Sequence, residues 1–92
     1  MSGGVVYRYE VPVDDQPHRL PTGLVLHVGC RNDPAVVEVW LWVQRSPIFE
    51  GHEIAVQVFG TGHPLPPEVQ EHLGTTLAAD GYLVWHLFRV QP

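Results

Sequence analysis

The sequence is a series of short segments in which apolar and polar residues alternate, with turn-forming residues between them. Alternation with period two places every second side chain on one face of a strand, so it predicts half-buried β-strands. The predicted strands span residues 5–13, 24–31, 36–44, 53–59 and 82–90. With one more strand before Asp80-Gly81, we predict an all-β fold of about six short antiparallel strands, a small sandwich or a partly open barrel.

Turn and helix signals divide the second half of the chain. Asp80-Gly81 lies between two apolar runs and predicts a β-hairpin with a type I′ turn. Residues 66–73 carry prolines at the start and early glutamates, and Gly74 follows them, so we predict one short helix there. We expect residues 1–92 to form a single β-rich domain, because 92 residues are enough for one thin core.

Two of the predicted strands are apolar on both faces. In residues 36–44, Val37, Val39, Leu41 and Val43 share one face, and the opposite face carries Trp40 and Trp42. The last strand repeats this pattern with Trp85. The pattern predicts strands covered on both sides, and one thin core cannot cover both. The excess apolar surface indicates either a second layer or a subunit interface. We expect a homo-oligomer, with these three tryptophans as candidate interface residues.

The second predicted strand, residues 24–31, offers one continuous apolar face. Leu24, Leu26, Val28 and Cys30 alternate with Val25, His27, Gly29 and Arg31. Cys30 is the only cysteine, so no disulfide can form within the chain. We expect its thiol to be buried and inert.

The charge pattern argues against nucleic-acid binding. The net charge is −5, and the five basic residues are scattered arginines that form no basic stripe for phosphates. No apolar run is long enough to span a bilayer, and the first residues do not have the pattern of a signal peptide. We expect a cytoplasmic protein with no nucleic-acid partner and no membrane partner.

The segment Gly60-Thr61-Gly62-His63-Pro64 is the best-formed polar feature of the sequence. Glycine supplies positive φ and proline stiffens a loop, so we interpret the segment first as a tight turn. A phosphate cradle would require a longer glycine-rich loop leading directly into a helix. If a small ligand binds, we expect Thr61, His63 and Arg89 to contact it.

The sequence gives less support for a metal site or for catalysis. The six histidines lack the spacing of a compact metal site, and we predict no metal and no cofactor. No serine lies in a nucleophile motif, so we assign no catalytic residue and predict a protein that is not an enzyme. A hydrolase with His63 as general base remains an alternative for which the sequence shows no partner.

Four stretches carry a resemblance that covers nearly the whole chain. They are "YRYEVPVDDQPHRLPTG", "VEVWLWV", "FGTGHPLP" and "HLGTTLAADGYLVWHLFRV". Together they resemble a family of small uncharacterised proteins, a domain of unknown function, from actinobacteria and their phages. The resemblance implies no catalytic residue. It implies a setting, that of a small phage-related accessory protein in a bacterial cytoplasm.

These observations lead to one expected function and two alternatives. We expect a small non-enzymatic protein that acts by protein–protein association, with itself or with a host or phage protein. The first alternative is a protein that binds or sequesters a small ligand, such as a nucleotide signal, through the loop at residues 60–64. The second alternative is the hydrolase.

Overall fold

The computed structural model describes residues 3–44 and 51–91 and arranges them as seven β-strands. The described residues contain no helix, so the all-β prediction is confirmed. The strands are β1 (Gly4–Pro12), β2 (His18–Pro21), β3 (Leu24–Gly29), β4 (Val36–Gln44), β5 (Glu53–Gly60), β6 (Val69–Leu77) and β7 (Val84–Val90).

The strands form two sheets, and every hydrogen-bonded pair of strands is antiparallel. Sheet A has the order β1-β4-β3, and sheet B has the order β2-β5-β7-β6. The two sheets are separate and do not close into a barrel. Of the two predicted architectures, the sandwich is therefore correct.

The core lies between the two sheets and is built from the alternation that the sequence shows. In β4, Val37, Val39 and Leu41 are fully buried. Sheet B contributes Val56 from β5 and Leu87 from β7 to the same cluster. The inner faces predicted for these strands are confirmed.

Strand β3 departs from its predicted face. A β-bulge lies between Val25 and His27, where the pairing register with β4 shifts. Val25 packs on the core before the bulge, and Val28 is buried after it. A bulge inserts one residue and so moves the following side chains to the other face. Leu24 and Leu26, which were predicted to share one face with Val28 and Cys30, are exposed, whereas Val28 and Cys30 are buried.

The helix predicted for residues 66–73 is wrong. Strand β6 begins at Val69 and pairs with β7, with register shifts between Val69 and Glu71 and between His72 and Gly74. A two-turn helix gains little stability by itself. Pairing instead gives the segment a ladder of backbone hydrogen bonds along β7.

The hairpin predicted at Asp80-Gly81 is present and joins β6 to β7. Its last strand pair is Leu77 with Val84, so six residues connect the strands. Gly81 has a φ of 78°, whereas Asp80 does not have positive φ. A type I′ turn requires positive φ at both central residues, so this prediction of the turn type is wrong.

The segment between β5 and β6, residues 61–68, is a crossover. Strands β5 and β6 run parallel to each other on either side of β7, so the chain has to return along the sheet before β6 can start. All of its residues except Pro66 are exposed, which places it outside the core. The loop containing Thr61 and His63 is therefore the first turn of this crossover.

Candidate functional site

The outer face of sheet A carries a row of exposed apolar side chains. The pairing register places Val6 of β1 and Leu24 of β3 on either side of Trp42 of β4. Leu26, in the bulge of β3, adds a fourth apolar side chain. Their exposed fractions lie between 41% and 57%. We call these four residues the sheet A patch.

The indole of Trp42 lies across β1. A Cβ atom built on Gly4 would collide with Nε1 of Trp42, so a glycine at this position lets the ring approach the backbone. On the other side, Trp42 borders an open groove of about 260 Å³. The groove is lined by Thr22, Gly23, Leu24, Trp42 and Gln44.

The next row of the same face joins aromatic rings and cations. Trp40 pairs with Arg8 on one side and with His27 on the other. The guanidinium carbon of Arg31 lies 5.4 Å from the centroid of the Trp40 ring, within the range of a cation–π contact. The His27 ring is also 5.4 Å from that of Trp40. Trp40 is therefore half-covered, whereas Trp42 is open.

Glu38 anchors the third row and is only 3% exposed. Its carboxylate accepts two hydrogen bonds from Arg31, at 2.7 and 2.8 Å, and one from Arg8 at 2.8 Å. The hydrogen bonds from Arg31, and then the charges of Arg31 and Arg8, favour the ionised carboxylate and outweigh burial. They lower the pKa of Glu38 from 4.5 to about 2.

This ion network predicts a loss of stability in acid. Because the pKa of Glu38 is lower in the folded chain, its contribution is complete above pH 4.5 and is lost as the pH falls towards 2. We expect urea unfolding midpoints to fall over this interval in the unaltered chain. In Glu38→Gln the midpoint should start lower at neutral pH, and the difference between the two proteins should shrink towards pH 2. A constant difference would show that the network is not responsible.

A chain of four polar side chains crosses the outer face of sheet B. Thr61 Oγ1 lies 2.7 Å from Nε2 of His86, and Nδ1 of His86 lies 2.9 Å from Oγ1 of Thr75. The same Thr75 oxygen lies 2.8 Å from Nε2 of His72. We call these residues, Thr61, His86, Thr75 and His72, the polar relay. It attaches the start of the crossover to strands β6 and β7.

The structure separates the three residues predicted to bind a ligand. Thr61 belongs to the polar relay. His63 instead folds back on its own turn, with its ring beside Gly60 and its amide donating to the Gly60 carbonyl. Arg89 lies near the far end of β7, opposite Val56. The imidazole that contacts Thr61 thus belongs to His86 and not to His63.

Arg89 has a different setting from the crossover loop. It lines an open cleft of about 210 Å³ between the two sheets, together with Glu71, its cross-strand partner in β6. The cleft also includes Thr22 and Ile54. Arg89 and Thr61 therefore do not converge on one position.

Three of the four relay residues, His86, Thr75 and His72, were not predicted from the sequence to contact Thr61. Thr75 and His86 are direct cross-strand partners. The only available signal was the position of His86 within a predicted strand. Because the segment around His72 was predicted to be a helix, its pairing with β7 could not be used.

The three tryptophans have different environments. Trp85 packs against the core, and its Nε1 donates a hydrogen bond of 2.7 Å to the carbonyl of Pro34. Trp40 is half-covered, and Trp42 is the most open of the three. Only Trp40 and Trp42 lie on the outer face of sheet A. The interface role of the tryptophans stays a prediction.

The described residues contain neither a metal-binding cluster nor a membrane-spanning helix. In residues 3–44 and 51–91, no group of three His, Cys, Asp or Glu side chains is placed to hold a metal ion. Over the same ranges, the fold has no helix with the length and apolar character needed to cross a membrane.

Comparison with known proteins identifies the family. The family model described as "Domain of unknown function (DUF7352)" matches residues 3–92. No curated protein and no solved structure was found to match the chain. The resemblance to a family of unknown function is thus confirmed, and an origin in actinobacteria or phages stays a prediction. Since the match covers nearly the whole sequence, the chain belongs to the family Domain of unknown function (DUF7352).

Proposed function

We propose that this chain is a small non-enzymatic accessory protein that acts by protein–protein association through the outer face of sheet A. The observation that carries the proposal is the sheet A patch, in which Val6, Trp42 and Leu24 are exposed cross-strand neighbours and Leu26 is exposed in the bulge of β3. Contiguous apolar patches on a small protein mark sites where another surface binds. The first partner we propose is a second copy of the chain.

The surroundings of the patch support an interface. An apolar centre with a polar rim is the usual anatomy of a protein–protein interface, and tryptophan and arginine are enriched in its strongest contacts. Here Trp42 lies in the centre, and the rim consists of Arg8, Arg31 and Glu10, with the buried carboxylate of Glu38 holding the two arginines. The ion pairs hold this rim in place before a partner arrives.

A second copy fits this surface because the surface complements itself. In a two-fold interface the same patch contacts its own copy, so an apolar row meets an apolar row. Together with Glu38, the rim holds two arginines and two glutamates and is locally neutral, although the chain as a whole carries −5. Two copies can therefore approach through this face with little charge repulsion.

The proposal includes a cellular setting. The resemblance to small proteins of actinobacteria and their phages supports a phage-related accessory protein in the cytoplasm of a bacterial host. In that setting a host or phage protein would compete with the second copy for the sheet A patch. If the purified chain forms oligomers in the absence of any other protein, self-association is a property of the chain alone.

Paired leucine substitutions test the proposal. Leu24 in the patch is 57% exposed, and Leu77 in β6 of sheet B is 62% exposed. Leu24→Glu puts a charge into the proposed interface, so its mass by light scattering should fall below that of the unaltered chain. Leu77→Glu makes the same chemical change on the other sheet and should leave the mass unchanged. Equal masses for the two variants would refute the use of this face.

The polar relay favours a second candidate function, the binding of a small ligand at the crossover. Its two hydroxyls and two imidazoles can donate or accept hydrogen bonds, and the Phe88 ring lies 5.2 Å from that of His72. These groups suit the polar and planar parts of a nucleotide. The contribution of His63 and Arg89 to such a site stays a prediction.

Thermal-shift measurements with cyclic and linear nucleotides test this candidate. A ligand that binds only the folded chain at about 100 times its Kd adds roughly 2.7 kcal/mol and raises the melting temperature. Thr61→Val should abolish the rise, and Thr76→Val, which alters a threonine of β6 outside the relay, should not. If no nucleotide raises the melting temperature, ligand binding at the crossover is excluded.

A further inference from the structure

We infer that β1 pairs edge to edge with β1 of a second copy, in an antiparallel register centred on Tyr9. This inference rests on the proposed self-association and gives it a second contact, at right angles to the sheet A patch. It would extend sheet A into a continuous six-stranded sheet across the two copies.

Three of the four edges are unsuited to further pairing. Strand β2 has only four residues and ends at Pro21. Strand β3 is bulged, and β6 has two register shifts. Short strands, prolines and bulges are the means by which proteins prevent the pairing of an edge with another chain.

Strand β1 has none of these protections over most of its length. Its nine residues pair with β4 without any shift in register, from Gly4 with Gln44 to Pro12 with Val36. Its only proline is its last residue. Among the described strands of sheet A, none pairs with its outer edge. It is thus the one long and regular edge of the described fold.

The charges on β1 select the register. Arg8 and Glu10 are two residues apart and point to the outer face, where they lie 3.2 Å apart. In a two-fold antiparallel pair centred on Tyr9, Arg8 lies opposite Glu10 of the second copy, and the reverse pair forms as well. Opposite charges in direct cross-strand positions stabilise a pair of strands.

The neighbouring registers lack this complementarity. A pair centred on Arg8 puts the two Arg8 side chains opposite each other, and a pair centred on Glu10 does the same for the two glutamates. Like charges in direct opposition destabilise a sheet. A pair centred on Tyr7 puts Arg8 opposite Val6 and gains no charge pairing. The Tyr9 register is therefore favoured.

The edge contact leaves the sheet A patch free. The two-fold axis of the edge pair is perpendicular to the sheet, so the patches of both copies face the same side. Two such pairs can then pack patch to patch, which gives a closed assembly of four chains with perpendicular two-fold axes. On this basis Leu24→Glu should reduce the assembly from four chains to the edge-paired dimer.

Engineered cysteines test the register directly. In a background with Cys30→Ser, Arg8→Cys and Glu10→Cys are each produced alone and also co-expressed. In the Tyr9 register, the two engineered cysteines face each other only between an Arg8→Cys chain and a Glu10→Cys chain. Two cysteines at position 8 would lie about 8 Å apart on the diagonal, too far for a disulfide.

We expect a disulfide-linked dimer from the co-expressed pair and none from either variant alone. Cross-linking of Arg8→Cys alone would show a register centred on Arg8 and overturn the inference. The absence of any cross-link would also overturn it. If Leu24→Glu still lowered the mass in that case, the proposed function would stand and only the edge contact would be refuted.

Discussion

Leu87→Ala is expected to cost about 2–5 kcal/mol of the free energy of unfolding. Leu87 lies in the middle of β7, the central strand that pairs with both β5 and β6, and its side chain is fully buried between the sheets. Neighbours such as Val56 and Leu41 are held by their own strands. They cannot collapse into the space that the leucine leaves, so a cavity remains.

Urea or thermal unfolding at a fixed protein concentration measures this effect. For a chain of this size, each kcal/mol lowers the melting temperature by roughly 4–8 °C. Leu77→Ala in β6, which removes the same atoms from an exposed side chain, should change stability by less than about 0.5 kcal/mol. If the two variants lost equal stability, the assignment of the inner face of sheet B would be contradicted.

Gly74→Ala is expected to destabilise the fold by about 1–3 kcal/mol because it overpacks the contact between the sheets. A Cβ atom on Gly74 would collide with the side chain of Val28 in β3. Gly74 lies at the second bulge of β6, where this strand comes close to sheet A. Its φ is not positive, so alanine is compatible with the backbone and the cost arises from the collision.

A double-mutant cycle identifies the cause of this loss. Val28→Ala removes Cγ2, the atom nearest to a Cβ at position 74, but keeps the Val28 Cβ, which also lies too close. Gly74→Ala should therefore cost less in the Val28→Ala background than alone, with part of the loss remaining. Gly3→Ala is the control, because a Cβ atom there meets no neighbour. Strict additivity of the two substitutions would show that Val28 is not what excludes a side chain at position 74.

The alternation of apolar residues was sufficient to predict the inner faces of the regular strands. In β4 and β5 no residue is inserted, so period two holds from one end to the other and the buried valines could be identified. The same rule was wrong for Leu24 and Leu26, because the bulge after Val25 reverses the faces. The bulge in β3 arises from its pairing with β4, so the local sequence of β3 does not predict it.

Strands at the edges were the hardest to predict. Strand β2 has four residues and is held by β5, which lies more than thirty residues later in the chain. In the segment that contains the start of β6, the prolines at 66 and 67, Glu68, Glu71 and Gly74 all agree with a helix. Pairing with β7 outweighs these local preferences because a helix of two turns has little stability to set against it.

Prediction of the candidate sites was limited in the same way, because each site depends on how strands pair. Tryptophans at alternate positions of β4 pointed to an aromatic outer face, which the structure shows as Trp40 and Trp42. The row across that face depends on the register with β1 and β3, which the sequence does not contain. The polar relay likewise depends on the pairing of β5 with β7, which continues to Thr61 and places its hydroxyl beside His86.

Sedimentation equilibrium of the unaltered chain over a range of concentrations tests the association through sheet A most directly. We expect an average mass that lies above 10.3 kDa and falls towards that value on dilution. A mass of 10.3 kDa at every concentration would contradict it, because Trp42 and its apolar neighbours would then remain in water without a second copy to cover them.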